Sequence, residues 1–402
     1  MSEKTEPNVG MFTLADPVAA EPPHPIKVPD HEEWPLPNGF AWVFLGSGNS
    51  EITRPVIIAD GFNLGRSELD KLYQFLDGGE YPFLTELHRR GRDVILLGFE
   101  ERTASIMDNA QAAEAVIMET IGRRVGNTRL VVGGFSMGGM VTRYALAKLE
   151  TQRMDHQTAV YFSYDTPHRG ATIPVGVQAF SYFIPFPGND FERQMNSDAA
   201  RQMLWQHYDK DTGKIQVAKE RKDFLAALNR FGGWPQIPRK IAVANGRADG
   251  IGLPDVPPGE VALRLDKIYP GTTFYTQAQG DDVTVAYLYR KFPEAEDTIT
   301  TDSFPELDGA PGGTLHTYKI LADAMKKFGA TVDLRHEDVC FVPSVSAVAI
   351  RDIEKQDDLY AKIKDLDPGE SELDDFLCSS TTTEHTVVTE ELGSWLIDRF
   401  DV

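Results

Sequence analysis

The pattern of apolar and polar positions changes character at Phe40. Residues 1–38 are rich in Pro and Glu, with seven prolines from Pro17 to Pro37, and show no sustained apolar period. Such a stretch buries too little apolar surface to offset its ordering entropy, which predicts an extended arm, disordered or lying along the body. From Phe40 onward, short apolar runs alternate with longer stretches of helical period. Residues 41–45, 55–59, 93–98, 129–135 and 158–164 read as strands, and 67–76, 82–90, 109–125 and 138–149 as helices. That alternation predicts βαβ units and a mainly parallel sheet. The run VVGG at 131–134 has no polar face, as expected of a central strand covered by helices on both sides.

The regularity breaks after residue 170. Residues 171–235 are aromatic, Met-rich and Pro-interrupted, which predicts a helical cap inserted between core strands. Residues 240–244 return to strand character. The runs at 261–269, 272–277 and 283–290 then predict a β-rich insertion over about 255–292, and 317–328 and 393–400 read as helices. The fold class is therefore α/β: a mainly parallel central sheet flanked by helices, with a helical cap insertion and an extra β-rich insertion. Its expected parts are an arm (1–38), a first core part (39–170), the cap (171–235) and a second core part (236–402).

Composition narrows the function. With 40 Lys and Arg against 61 Asp and Glu, the net charge is −21, which disfavours nucleic acid and anionic membranes as partners. No apolar run reaches the roughly 18 residues of a membrane span, and the N-terminal stretch lacks the pattern of a secretory signal, so a cytoplasmic protein without a stable membrane anchor is expected. Two cysteines, Cys340 and Cys378, suggest reduced thiols, with neither a disulfide scaffold nor a zinc cluster.

The chemistry centres on Gly134-Phe135-Ser136-Met137-Gly138, a G-x-S-x-G match between an apolar strand and a helical pattern. A sharp strand–turn–helix would project the Ser136 hydroxyl, and the flanking glycines would let neighbouring backbones pass. The bland reading is a Gly-rich βα turn that only packs helix on strand. The segment VVGGFSMGGMVTRYAL resembles the nucleophile elbow of lipases and esterases in the α/β-hydrolase superfamily. RPVIIADGFNLG (54–65) resembles the strand and loop that supply a second oxyanion donor, and DTPHRGA (165–171) the turn after the next strand in many lipases. The resemblance covers about residues 54–171. It implies an α/β-hydrolase fold, a Ser-His-Asp serine hydrolase with no metal or organic cofactor, an oxyanion hole from the amides of Met137 and Phe62, and a structural role for His168. This chain has Asp60-Gly61 where many lipases have His-Gly.

Chain order in such folds is Ser, acid, His. His385 stands after a Ser/Thr-rich loop and before a terminal helix, the position at which the family carries its histidine; His336 is second, and His316 reads as lying near a helix start. For the acid, Asp249 follows the apolar strand at 240–244 through a short turn, at the sheet edge where ligand and catalytic groups gather. Asp165 follows the preceding strand but belongs to the DTPHRGA turn, and Asp281 and Asp282 read as a solvated turn. Phe183, Phe186 and Trp205, among the cap residues Phe180, Tyr182, Phe191, Met195 and Met203, are candidates for an apolar substrate pocket. A small-molecule or lipid-like ester is the expected substrate. The same machinery would serve a thioesterase, amidase, lactonase or acyltransferase, and a non-catalytic binding module on a hydrolase scaffold is the reading from a different class.

Overall fold

The structure, a computed structural model, describes residues 26–185 and 189–401. Residues 1–25 of the expected arm and Phe186 lie outside the described residues.

The first half alternates as its apolar pattern requires: β1 (Glu32–Leu36), β2 (Gly39–Phe44), β3 (Pro55–Ala59), α1 (Leu69–Asp77), α2 (Phe83–Arg89), β4 (Asp93–Phe99), α3 (Ile106–Arg123), β5 (Leu130–Phe135), α4 (Met137–Thr151) and β6 (Thr158–Tyr164). Three helices, a small hairpin and a fourth helix follow: α5 (Val175–Phe183), α6 (Asp190–Met195), α7 (Asp198–Met203), β7 (His207–Asp209), β8 (Lys214–Gln216) and α8 (Lys219–Arg230) make up most of 171–235. The chain then returns to the central sheet with β9 (Arg239–Ala244). Beyond it come β10 (Val261–Asp266), β11 (Thr273–Tyr275), β12 (Val283–Lys291), β13 (Glu294–Thr301), β14 (Gly312–Leu315), α9 (Thr317–Lys327), β15 (Thr331–Leu334), β16 (Val339–Pro343), α10 (Ser344–Ala347), α11 (Gln356–Leu359), β17 (Asp375–Cys378) and α12 (Glu390–Ile397).

The central sheet has eight strands in the order β1-β2-β4-β3-β5-β6-β9-β17. The first two are antiparallel to their neighbours and the others run parallel. Side chains of period two divide between its faces. Ile57, Ala59, Leu130 and Val132 join a core with α3 and α4, while Val56, Ile58, Val131 and Phe135 join one with α1, α2 and α12. Burial on both faces explains why β3 and β5 are apolar throughout and β4 is apolar beyond Asp93.

A second sheet, β13-β12-β11-β10-β15, is antiparallel. It packs on α5: Phe180 meets Phe274 edge-on at 5.4 Å, and the Arg290 guanidinium lies 4.9 Å from the Phe183 ring. The described part of the expected arm differs from an unstructured segment, because Glu32–Leu36 pairs with β2 and buries Trp34. Its pattern hides the strand, since only Trp34 points inward and Pro35 suits an edge. The strand β13 was also absent from the expectation; EAEDTITT is half exposed and reads as loop without its partner β12.

Candidate active site

The parallel order puts the C-terminal ends of β3, β5, β6 and β9 on one edge, and the site forms there. At the end of β5 the chain reverses through Ser136, whose φ of 51° and ψ of −122° lie outside the ordinary wells for an L-residue. The flanking glycines are required by contact. A Cβ on Gly138 would sit 2.3 Å from the Ala59 carbonyl oxygen, and one on Gly134 would sit 2.5 Å from the Gly138 carbonyl carbon. The turn is pinned by Ser136 N–H donating to the Tyr164 carbonyl (2.9 Å) and by Thr166 Oγ1 donating to the Ser136 carbonyl (2.9 Å). Thus G-x-S-x-G here is a packing requirement that leaves the serine side chain at the sheet edge.

His385 meets that serine, with its Nε2 2.8 Å from Ser136 Oγ and its Nδ1 2.6 Å from Asp165 Oδ2. An ionised carboxylate only accepts, so Nδ1 carries the proton and Nε2 presents its lone pair to the Ser136 hydroxyl. Asp165 is fully buried, and a buried carboxylate needs partners; its second oxygen accepts the Asn245 backbone N–H at 3.0 Å. Phe341 presents its ring to His385 at 4.8 Å and 76°, shielding one side of the imidazole.

The expectation that Asp249 holds the histidine is corrected by these distances. Asp249 is turned into its own loop, where Oδ2 accepts Arg247 Nε at 2.8 Å and Oδ1 accepts the Ile251 N–H at 3.0 Å. The carboxylate at His385 instead comes from β6, the strand hydrogen-bonded to β5, whereas Asp249 follows β9, one strand farther out. His336 lies apart from the site, 3.8 Å from Glu260. Asp281 accepts from Ser303 Oγ in a turn.

What the end of β9 does supply is Asn245, whose role the sequence reading missed. Its Oδ1 accepts the Thr386 N–H (2.9 Å), and its Nδ2 donates to Thr383 Oγ1 (2.7 Å) and the Val387 carbonyl (2.9 Å). Fully buried, it ties the acid and the histidine loop together. Thr386 holds a φ of 64°, a conformation that this network must maintain.

Met137 opens α4 directly after Ser136, and Phe62 follows β3 in the neighbouring loop. That loop explains Asp60. The Ser67 hydroxyl donates to Asp60 Oδ2 (2.6 Å), the Gly61 N–H to Oδ1 (2.7 Å), and Arg102 approaches Oδ2 at 3.8 Å while donating to the Leu64 and Gly65 carbonyls. Asp60 therefore organises the 60–65 loop from behind. Beside Phe62 an apolar hollow is bordered by Ala171, Met195, Met203, Leu315 and Phe341. Of the predicted pocket residues, Phe183 instead packs under Arg290 and Trp205 against Phe304 at 5.0 Å.

Behind the elbow lies a second serine–histidine pair. His168 Nε2 is 2.9 Å from Ser163 Oγ, and Arg143 faces its Nδ1 at 3.3 Å. Burial first, then the Arg143 and Arg169 charges, hold His168 well below the ordinary imidazole range. Among the described residues no group of three or more His, Cys, Asp or Glu is arranged to hold a metal ion, and no helix is long and apolar enough to cross a membrane. Both cysteines are free and buried.

Residues 93–167, from β4 through the Asp165 turn, match the phospholipase/carboxylesterase family model. This chain has the α/β-hydrolase fold. The matched segment carries the Ser136 elbow and the Asp165 turn, and the eight-stranded sheet carries the fold. Solved structures superpose only loosely. Est1E from Butyrivibrio proteoclasticus is 13% identical with a TM-score of 0.32 and covers 53% of this chain and 76% of its own. The Pyrobaculum calidifontis esterase is 14% identical with a TM-score of 0.34, covering 54% and 66%. EstE1, a thermophilic carboxylesterase cloned from a metagenomic library, is 11% identical with a TM-score of 0.33, covering 58% and 80%. A comparison with curated proteins gives no match.

Proposed function

We propose that this α/β-hydrolase cleaves carboxylic esters with a hydrophobic acyl part through a Ser136–His385–Asp165 triad and an acyl-enzyme. The observation that carries the reading is the unbroken chain from Asp165 Oδ2 through both nitrogens of His385 to Ser136 Oγ. His385 takes the hydroxyl proton as Ser136 Oγ attacks the ester carbonyl, and Asp165 stabilises the imidazolium that forms. The developing oxyanion is received by the backbone N–H groups of Met137 and Phe62. His385 then protonates the leaving alcohol. Water, deprotonated by the same imidazole, releases the acid and restores Ser136. No metal or organic cofactor enters this scheme.

The acyl group is assigned to the hollow beside Phe62, whose borders offer no polar side chain to a substrate. A small-molecule or lipid-like ester fits that surface better than a charged acid does. Fluorophosphonate labelling together with turnover of p-nitrophenyl esters of graded acyl length tests the proposal. Stoichiometric labelling at Ser136 with hydrolysis supports it. A protein that neither labels nor hydrolyses any ester is a binding module on a hydrolase scaffold.

A further inference from the structure

The loop that carries His385 is held from two sides. Asn245 grips residues 383, 386 and 387 from the sheet. On the other side runs β14. Its Thr314 N–H donates to the Thr383 carbonyl at 3.2 Å, and the His385 N–H donates to the Thr314 carbonyl at 2.8 Å. β14 also pairs with β16 through Leu315 and Val339. His316, the next residue after β14, therefore stands between the start of β16 and the histidine loop. Its Nδ1 meets Asp338 Oδ1, just before β16, and its Nε2 meets Glu384 Oε1, just before His385.

Two carboxylates on the two ring nitrogens require both nitrogens to donate, which only the imidazolium does. The hydrogen bonds to Asp338 and then Glu384 raise His316 to about 10 against a smaller opposing effect of burial. The position itself is unfavourable for a cation, because His316 is the N-cap of α9, where the helix dipole favours negative charge. The side chain makes no capping hydrogen bond to α9. Capping α9 therefore does not account for a histidine here, whereas joining the two carboxylates does.

We infer that His316 is a positioning residue that fixes the His385 loop by bridging Asp338 to Glu384; the inference rests on the serine-hydrolase reading above. His316 touches no reacting atom. It holds Glu384, and through the adjacent backbone keeps the imidazole of His385 within reach of both Asp165 and Ser136. A misplacement of about 1 Å in such an arrangement costs on the order of a hundredfold in rate.

The test compares wild type with His316→Gln, His316→Arg and Glu384→Gln. Two readouts are taken: hydrogen exchange at the His385 amide, which needs no activity, and kcat and KM for p-nitrophenyl butyrate across pH. His316→Gln is expected to speed exchange about tenfold or more and to lower kcat about tenfold with KM unchanged. It also leaves Asp338 and Glu384 without their cation, which favours the His385 imidazolium and moves the acidic limb of kcat/KM to higher pH. His316→Arg, which keeps the charge and can reach both carboxylates, restores exchange and most of kcat. Unchanged exchange in His316→Gln, or equal losses in the Gln and Arg variants, overturns the inference. Should His316→Gln fail to fold by circular dichroism, Glu384→Gln decides: faster exchange and lower kcat, both of smaller size, with the acidic limb moved to lower pH because a carboxylate and not the cation is lost. If wild type hydrolyses nothing, the esterase reading fails while exchange still decides the clamp.

Discussion

Two buried serine–histidine pairs lie beside α4, and they differ in the group behind the histidine. In both, serine Oγ and imidazole Nε2 are within 3 Å, at 2.8 Å for Ser136–His385 and 2.9 Å for Ser163–His168. Behind His385 stands Asp165, an acceptor, so Nε2 is the lone pair that can take a proton. Behind His168 stands Arg143, a donor, so Nδ1 accepts and the proton sits on Nε2, which donates to Ser163. The second pair is thus wired in reverse: its histidine cannot deprotonate its serine, and the guanidinium opposes an imidazolium. A short serine–histidine distance is consequently no sign of a base; the polarity of the third group decides.

That contrast breaks first at the serines. Ser136→Ala is expected to lower kcat on the order of a millionfold and to abolish fluorophosphonate labelling, whereas Ser163→Ala keeps its label. Labelling of the Ser136→Ala protein would assign the nucleophile elsewhere. Next comes the acid. Asp165→Asn puts the wrong tautomer on His385 and should reduce kcat on the order of 10⁴-fold, read from steady-state kinetics on a p-nitrophenyl ester.

The third expectation concerns stability on the acid side. His168 is held below its ordinary range when folded, so below about pH 6.5 the unfolded chain binds a proton that the folded one refuses. Stability should therefore fall as pH falls, by about 1.4 kcal/mol per pH unit from this residue alone. Urea unfolding of His168→Gln against wild type at several pH values measures it; parallel curves for the two proteins would remove the reversed pair from the account. The smallest effect belongs to Asp249→Asn, which should change kcat/KM by no more than about twofold, the range of an ordinary surface substitution. A loss comparable with that of Asp165→Asn would restore Asp249 as the acid.

How much of this was legible in the chain depends on the range of the interactions. The elbow was readable because strand, turn and helix are consecutive, and the glycines report close contacts within a few residues of Ser136 and with β3. His385 was readable by position. The acid was not, because β6 and β9 both end in an aspartate-bearing turn and nothing local says which strand is hydrogen-bonded to β5. Asp165 looked committed to the Asp-Thr-Pro-His turn; in three dimensions Thr166 and His168 fill that structural role and free the carboxylate. Asn245 was invisible for a related reason, since its three side-chain partners lie about 140 positions away. Trp205 and Phe183 had the composition of pocket residues but were claimed by Phe304 and Arg290, contacts that no periodicity encodes. Likewise β17, four residues with one well-buried side chain, becomes a strand only through its pairing with β9.

The histidine reaches its partners across 249 residues to Ser136 and 220 to Asp165. During synthesis, the serine and the carboxylate leave the ribosome well before the imidazole exists. A chain interrupted anywhere in that interval holds Ser136 without the imidazole that meets it. The loop of His385 follows β17, the outermost strand of the central sheet, so the imidazole belongs to the last part of that sheet to be made.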